Sequence, residues 1–192
     1  MELVKSITIC DVGPRDGLQN EKKLLSVQEK QSMIEGLADA GVPVIEVGSF
    51  VHPKAVPQMA TIDEIFQNLR RKEGTEYRAL IANLKGVERA VKCGCPKVKM
   101  NVSASKAHNL ANLNCTPAET VSSFRPCADM ARTENLELSG SIAMAFGSPW
   151  EGEIPLSDVK EIVDAYLSVG ITEISLSDTA GLAYPTQVYA IC

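Results

Sequence analysis

Short apolar runs alternate with helix-length amphipathic segments along the whole chain. The runs Ser6–Val12, Val42–Val47, Tyr77–Ala82, Lys97–Val102, Leu136–Ala145 and Glu173–Leu176 read as strands. Several are apolar at nearly consecutive positions, Val42-Pro43-Val44-Ile45-Glu46-Val47 among them. That is the pattern of strands covered on both faces by helices. Ser26 with Glu29 predicts a capping box ahead of a helix over Val27–Ala40, and Thr116-Pro117 with Glu119 predicts a second, with Pro at the first helical position. Val159, Ile162, Val163 and Tyr166 recur at i, i+3, i+4 and i+7, which gives that helix one apolar face. Gly41, Gly74, Gly94, Asn135 and Gly170 stand at the helix-to-strand junctions, and all tolerate the left-handed cap conformation. Their spacing averages about 32 residues, the size of one βαβ building block. The 192 residues then hold about six units, with no linker or shift of composition between them.

Two α/β architectures compete for this pattern, an open doubly wound sheet and a (β/α)8 barrel. An open sheet that binds nucleotides carries a Gly-rich phosphate turn after its first strand. Here the first strand runs into Cys10-Asp11-Val12-Gly13-Pro14-Arg15-Asp16-Gly17, which fits neither that turn nor a Walker A loop. Polar residues recur at the carboxyl ends of several strands: Arg15-Asp16, Glu46, Asn83, Asn101 with Ser103, and Asp178. Barrels spread their chemistry in this way. The expectation is an α/β fold of the TIM (β/α)8 barrel class, with only the first six β-α units present, as one incomplete domain spanning 1–192.

Composition narrows the function. The chain is 45% hydrophobic and 22% charged, which excludes a disordered or low-complexity protein. Its net charge is −5 and its basic residues are dispersed, so neither nucleic acid nor an acidic membrane is expected as a partner. No apolar run approaches the roughly 18 residues of a membrane span. The opening Met1-Glu2-Leu3-Val4-Lys5 has no signal-peptide or transit character, and a cytoplasmic protein is expected. The six cysteines lack zinc-site spacing, Cys93-Gly94-Cys95 being one residue too tight, and they read as reduced, mostly buried thiols. With only His52 and His108, a histidine-rich metal cluster cannot be assembled.

Arg15-Asp16 is the most informative pair. Between two glycines at a strand end, the hard oxygen of Asp16 suits a divalent cation, and Arg15 suits an oxygen that gains charge during reaction. A surface ion pair worth almost nothing is the alternative. Glu46 lies inside an apolar strand, where burial without a partner would cost several kcal/mol, so it requires a cation. Arg15 on the neighbouring strand is the natural candidate, and a structural ion pair and a catalytic one are compatible. Asp178 is either a site residue or a helix N-cap. His108, after the fourth strand, and to a lesser degree His52, could contact a ligand. Trp150 either walls a cleft or packs a loop, and Cys93 and Cys95 are structural.

The segment Asp11-Val12-Gly13-Pro14-Arg15-Asp16-Gly17-Leu18-Gln19-Asn20-Glu21 closely resembles the first-strand signature of the 3-hydroxy-3-methylglutaryl-CoA lyases. These belong to a superfamily of metal-dependent carbon–carbon lyases and synthases built on a TIM barrel. Further matching segments follow in order: Ile45-Glu46 to Ser49-Phe50-Val51, Asn83-Leu84-Lys85-Gly86, Ser103-Ala104-Ser105, Gly147-Ser148-Pro149-Trp150-Glu151-Gly152 and Glu173 to Thr179. The resemblance implies a retro-Claisen cleavage of hydroxymethylglutaryl-CoA to acetyl-CoA and acetoacetate, the reaction of leucine degradation and ketone-body formation. It implies Mg2+ or Mn2+ as cofactor and a small-molecule acyl-CoA as substrate, and it leaves homo-oligomerisation open. Arg15, Asp16 and Glu46 would be catalytic, with Asp16 a metal ligand and Glu46 orienting Arg15. Arg15, Gln19, Ser49 and Asp178 would contact substrate.

The departures carry equal weight. The family completes its metal site with a His-x-His pair and an Asn after later strands, and it uses a cysteine in a Gly-rich loop. None of these is found before Cys192, and the family's Tyr in the fifth strand is Ser141 here. The expectation is therefore a chain that is inactive in isolation and marginally stable, its first and sixth strands being unpaired edges. Two rivals stay open. One is a related aldolase or synthase acting on another acyl-CoA or a 2-oxo acid. The other is a non-catalytic half-barrel that works through a partner.

Overall fold

The α/β order anticipated from the apolar runs is realised in a computed structural model that describes residues 5–192. The expectation drawn from Met1–Lys5 concerns residues that, apart from Lys5, lie outside that range. The chain forms two compact units, Met1–Ile81 with Glu88–Val98, and Ala82–Val87 with Lys99–Cys192.

The first unit contains β1 (Cys10–Asp11), a π-type turn over Gly13–Gly17, α1 (Val27–Asp39), β2 (Val44–Ser49), a short turn at Pro57–Met59, α2 (Ile62–Asn68) and β3 (Glu76–Ile81). Its strands lie in chain order, β1-β2-β3, and both pairings are parallel. An open doubly wound sheet would reverse direction; this order does not. Every residue of β2 is buried, as its unbroken apolar run requires. β3 alternates instead, with Tyr77, Ala79 and Ile81 buried and Glu76, Arg78 and Leu80 half-buried. The first strand is much shorter than the Ser6–Val12 expected. Cys10 and Asp11 pair with Val44 and Ile45, where β2 begins, so the preceding residues have no ladder there, and Ile7 and Ile9 stand exposed.

One irregularity aims the site. Glu46 stands opposite Arg78, but the next registered pair is Gly48 with Ala79, so Val47 is an extra residue. Such a bulge turns residues that would share a face onto opposite faces. Glu46 joins the face of Glu76 and Arg78, while Gly48 backs onto α2, where an added Cβ would lie 2.4 Å from Ile62 Cδ1. Ser49, registered with Leu80, returns to the face of Glu46.

The division between the units falls within α3 (Leu84–Lys92) and β4 (Lys97–Ser103). The second unit continues with α4 (Lys106–Leu113), α5 (Pro117–Ser122), α6 (Phe124–Thr133), β5 (Glu137–Ala143), α7 (Leu156–Ser168), β6 (Ile174–Leu176) and α8 (Pro185–Ile191). Its strands again follow chain order, with β5 and β6 parallel. Val159, Ile162 and Tyr166 form the buried stripe of α7. Tyr166 packs on Gly140, where a Cβ would come within 3.0 Å of three ring atoms. Its hydroxyl donates to the carbonyls of Met100 at 2.8 Å and Ser141 at 3.1 Å, and its ring stacks on Phe124.

Both capping boxes form: Ser26 with Glu29 opens α1, and Thr116 with Glu119 opens α5. The second helix breaks at Ser123, because Pro126 has no N–H for the Ser122 carbonyl. All five junction residues, Gly41, Gly74, Gly94, Asn135 and Gly170, adopt positive φ between 53° and 87°. Among the described residues, no helix is long and apolar enough to cross a membrane.

Candidate active site

The first unit gathers three of the expected residues. After β1, the Val12 carbonyl accepts from the backbone N–H groups of Arg15, Asp16 and Gly17 at 2.7–3.3 Å, which winds Gly13–Gly17 into a π-type turn. Asp11 braces its start by accepting the Gly13 N–H at 2.8 Å, and Pro14 is buried beneath it. This tight turn leaves the Arg15 side chain 17% exposed and the neighbouring Asp16 62% exposed.

Arg15 Nε donates to Glu46 Oε1 at 2.5 Å, and Arg15 Nη1 donates to Asp16 Oδ1 at 2.7 Å. The Glu46 side chain is wholly excluded from solvent. The cation anticipated for Glu46 is thus met, and it comes from the turn after the neighbouring strand rather than from the strand itself. Among the described residues, two of the five N–H donors of the guanidinium are used, by Glu46 and Asp16. Gln19 stands four residues after Arg15, half-buried in the helical turn that continues the loop. Ser49, at the end of β2, is buried, and its hydroxyl has no hydrogen-bond partner among the described residues. A buried hydroxyl without a partner costs free energy unless a ligand or water completes it.

Asp178 belongs to the second unit. It is neither buried nor the N-cap of α8, which is Tyr184. Its carboxylate accepts from the backbone N–H of Leu182 at 2.9 Å and of Ala183 at 3.2 Å, closing the loop after β6. Asn83 caps α3 by accepting the Gly86 N–H at 3.2 Å.

The histidines are occupied locally. His52 Nδ1 accepts the Lys54 N–H. His108 lies on α4 rather than in a loop; its Nε2 meets Asn112 and its ring stacks on the exposed Trp150 at 6.1 Å between centroids. Burial lowers its pKa. Trp150 thus packs its loop against α4 through His108 while staying largely exposed. Burial pushes the thiols of Cys93 and Cys95 up to about 11 and about 12, which suits an inert structural role.

Among the described residues, no group of three or more His, Cys, Asp or Glu side chains could hold a metal ion. Asp16 offers one hard carboxylate oxygen beyond the one paired with Arg15, a single ligand rather than a coordination set. Glu76, Arg78 and Lys97 were passed over in the sequence. The alternation of charged Glu76 and Arg78 with buried Tyr77, Ala79 and Ile81 was the available signal that both charges share one face of β3.

Comparison with known proteins gives these features a context. The family model described as HMGL-like matches residues 6–192. A 3-hydroxy-3-isohexenylglutaryl-CoA/hydroxymethylglutaryl-CoA lyase of Pseudomonas aeruginosa is 39% identical over 95% of this chain and 61% of its own length. An (R)-citramalyl-CoA lyase of Chloroflexus aurantiacus is 40% identical over 98% of this chain and 63% of its own. The structure of an HMG-CoA lyase from Acinetobacter baumannii, in complex with coenzyme A and 3-methylmalate, superposes with a TM-score of 0.92 at 38% identity. It covers 96% of this chain, which covers 60% of it. The chain thus spans about three fifths of the length of the relatives it matches. Its fold is that of the first six β-α units of a TIM barrel, as in structures of HMG-CoA lyases. The family is in general dependent on a divalent metal. On the match from residue 6 to residue 192, the chain belongs to the HMGL-like family.

Proposed function

We propose that this chain supplies the Arg15 half of a lyase site that cleaves 3-hydroxy-3-methylglutaryl-CoA to acetyl-CoA and acetoacetate. The observation that carries the reading is the guanidinium of Arg15, clamped by buried Glu46 and by Asp16. The chemistry needs such a group. The substrate's tertiary hydroxyl gives its proton to a water molecule acting as base. Its electron pair becomes the new ketone of acetoacetate as the adjacent carbon–carbon bond breaks. The electrons of that bond pass into the enolate of acetyl-CoA, whose thioester oxygen gains negative charge. Arg15 donates hydrogen bonds to that oxygen, and return of the proton released by the hydroxyl to the enolate carbon balances the reaction. A donor fixed in place before the charge develops is worth about 3–4 kcal/mol.

Glu46 keeps the guanidinium in one orientation. Ser49, whose buried hydroxyl is without a partner among the described residues, suits a polar substrate group, and Gln19 is assigned to the same role. Asp16 is the residue of this chain assigned to the divalent cation. No step above is routed through that ion, because the described residues provide only one ligand for it. A second reading, cleavage of a different 3-hydroxyacyl-CoA, is favoured by the 40% identity of this chain to the (R)-citramalyl-CoA lyase of Chloroflexus aurantiacus.

The test incubates the protein as its gene encodes it with a panel of 3-hydroxyacyl-CoA thioesters and Mg2+. Equimolar acetyl-CoA and acetoacetate from the hydroxymethylglutaryl thioester support the proposal. Faster cleavage of citramalyl-CoA or a longer-chain homologue moves it to the second reading, and no cleavage of any thioester refutes both.

A further inference from the structure

We propose that Arg78 is a positioning residue for the Arg15–Glu46 pair, an inference that rests on the lyase reading above. Arg78 stands opposite Glu46 in the parallel register of β2 and β3, on the face to which the bulge at Val47 turns the Glu46 carboxylate. Neighbouring strands lie about 4.8 Å apart, so directly registered side chains on one face are immediate neighbours.

Charge balance supplies the reason. Arg15 serves two carboxylates, Glu46 through Nε and Asp16 through Nη1. A fully buried carboxylate that shares a cation with a second carboxylate is under-neutralised by that cation, and another cation beside it restores balance. Arg78, with its side chain 13% exposed, provides that charge. Arg78 is itself held in place: its Nε lies 2.8 Å from Glu76 Oε1, and Lys97 Nζ donates to Glu76 Oε2 at 3.0 Å. The result is an alternating, neutral series, Asp16, Arg15, Glu46, Arg78, Glu76 and Lys97. It runs from the loop after β1, across β2 and β3, to the start of β4, all within the first unit. A loose Glu46 would let the Arg15 fork swing away from the thioester oxygen, so Arg78 acts on the chemistry through two intermediaries.

The experiment uses Arg78→Met and Arg78→Lys in the protein as its gene encodes it, with Arg78→Gln replacing the Met variant should that fail to fold. The first readout is kcat and KM for the acyl-CoA substrate with Mg2+, per mole of folded protein. The second is the Nε–Hε signal of Arg15 in 15N-labelled protein, assigned by its loss in Arg15→Lys. Loss of the charge is expected to lower kcat at least tenfold, to change KM less than threefold, and to move the Arg15 signal and speed its exchange with solvent. Arg78→Lys is expected to recover most of both. A kcat within twofold of the parent with an unmoved Arg15 signal overturns the proposal, as does failure of Arg78→Lys to recover either. If the unaltered protein cleaves no thioester, the lyase reading fails by itself, and the Arg15 signal alone decides the role of Arg78.

Discussion

Removing both partners of the Arg15–Glu46 pair should destabilise the protein by less than the sum of the two single removals. At the observed 2.5 Å, with an effective dielectric constant of about 20, the gross attraction between unit charges is about 6–7 kcal/mol. Desolvation offsets much of this, because Glu46 is fully buried while Arg15 keeps only 17% exposure. The net value of the pair is therefore modest, whereas Arg15→Met strands a buried carboxylate and should cost about 3–5 kcal/mol. Glu46→Gln preserves shape and a hydrogen-bond acceptor and should cost about 1–3 kcal/mol. The double variant should cost at least 1 kcal/mol less than the sum of the singles. Urea unfolding of the four proteins, monitored by circular dichroism, closes the cycle. Single-variant losses that add to within about 0.5 kcal/mol would refute the pairing.

Four further outcomes follow from the packing and the local electrostatics. Gly48→Ala should cost about 1–3 kcal/mol in the same unfolding assay, since its Cβ would press on Ile62 beneath the bulge; a neutral effect would mean that the bulge does not hold β2 against α2. Ser26→Ala should cost about 1 kcal/mol by removing the cap of α1. The Glu29 carboxyl in the same box is held below its usual pKa by the Ser26 backbone N–H and by Lys23. Its contribution is therefore present above the unfolded-state pKa and lost as pH falls through the lower folded value, so the stability difference between parent and Glu29→Gln should shrink on acidification below about pH 4. Cys93, Cys95 and Cys127, whose thiols burial raises to about 11, about 12 and about 11, should resist a thiol reagent at pH 8 in the native protein, and labelling at the rate of free cysteine would contradict their placement.

The parts of the fold that depend on local chemistry were legible in the chain. Ser26 and Thr116 cap helices because each has a Glu three residues on, and the five junction residues take positive φ because Gly and Asn do so at least cost. The ion pair followed from a single premise, that a carboxylate inside an apolar strand must find a cation. Features set by strand register were not legible. Nothing in Val44-Ile45-Glu46-Val47-Gly48-Ser49 announces that Val47 is skipped, yet this skip puts Glu46 and Ser49 on one face and Gly48 on the other. The extent of β1 likewise depended on where β2 begins rather than on the apolar residues Ile7 and Ile9. Arg78 escaped notice for the same reason, since its importance lies in what stands opposite it.

The central claim is that Arg15 stabilises charge on a substrate oxygen while carbon–carbon cleavage occurs. Its most direct measurement compares the protein as its gene encodes it with Arg15→Gln, following equimolar acetyl-CoA and acetoacetate formation from 3-hydroxy-3-methylglutaryl-CoA at saturating substrate and Mg2+. The account predicts a fall in kcat of about 100- to 1000-fold with the fold retained, the size of effect seen when one preorganised oxyanion donor is removed. An Arg15→Gln protein that turns over within a few-fold of the parent would contradict it.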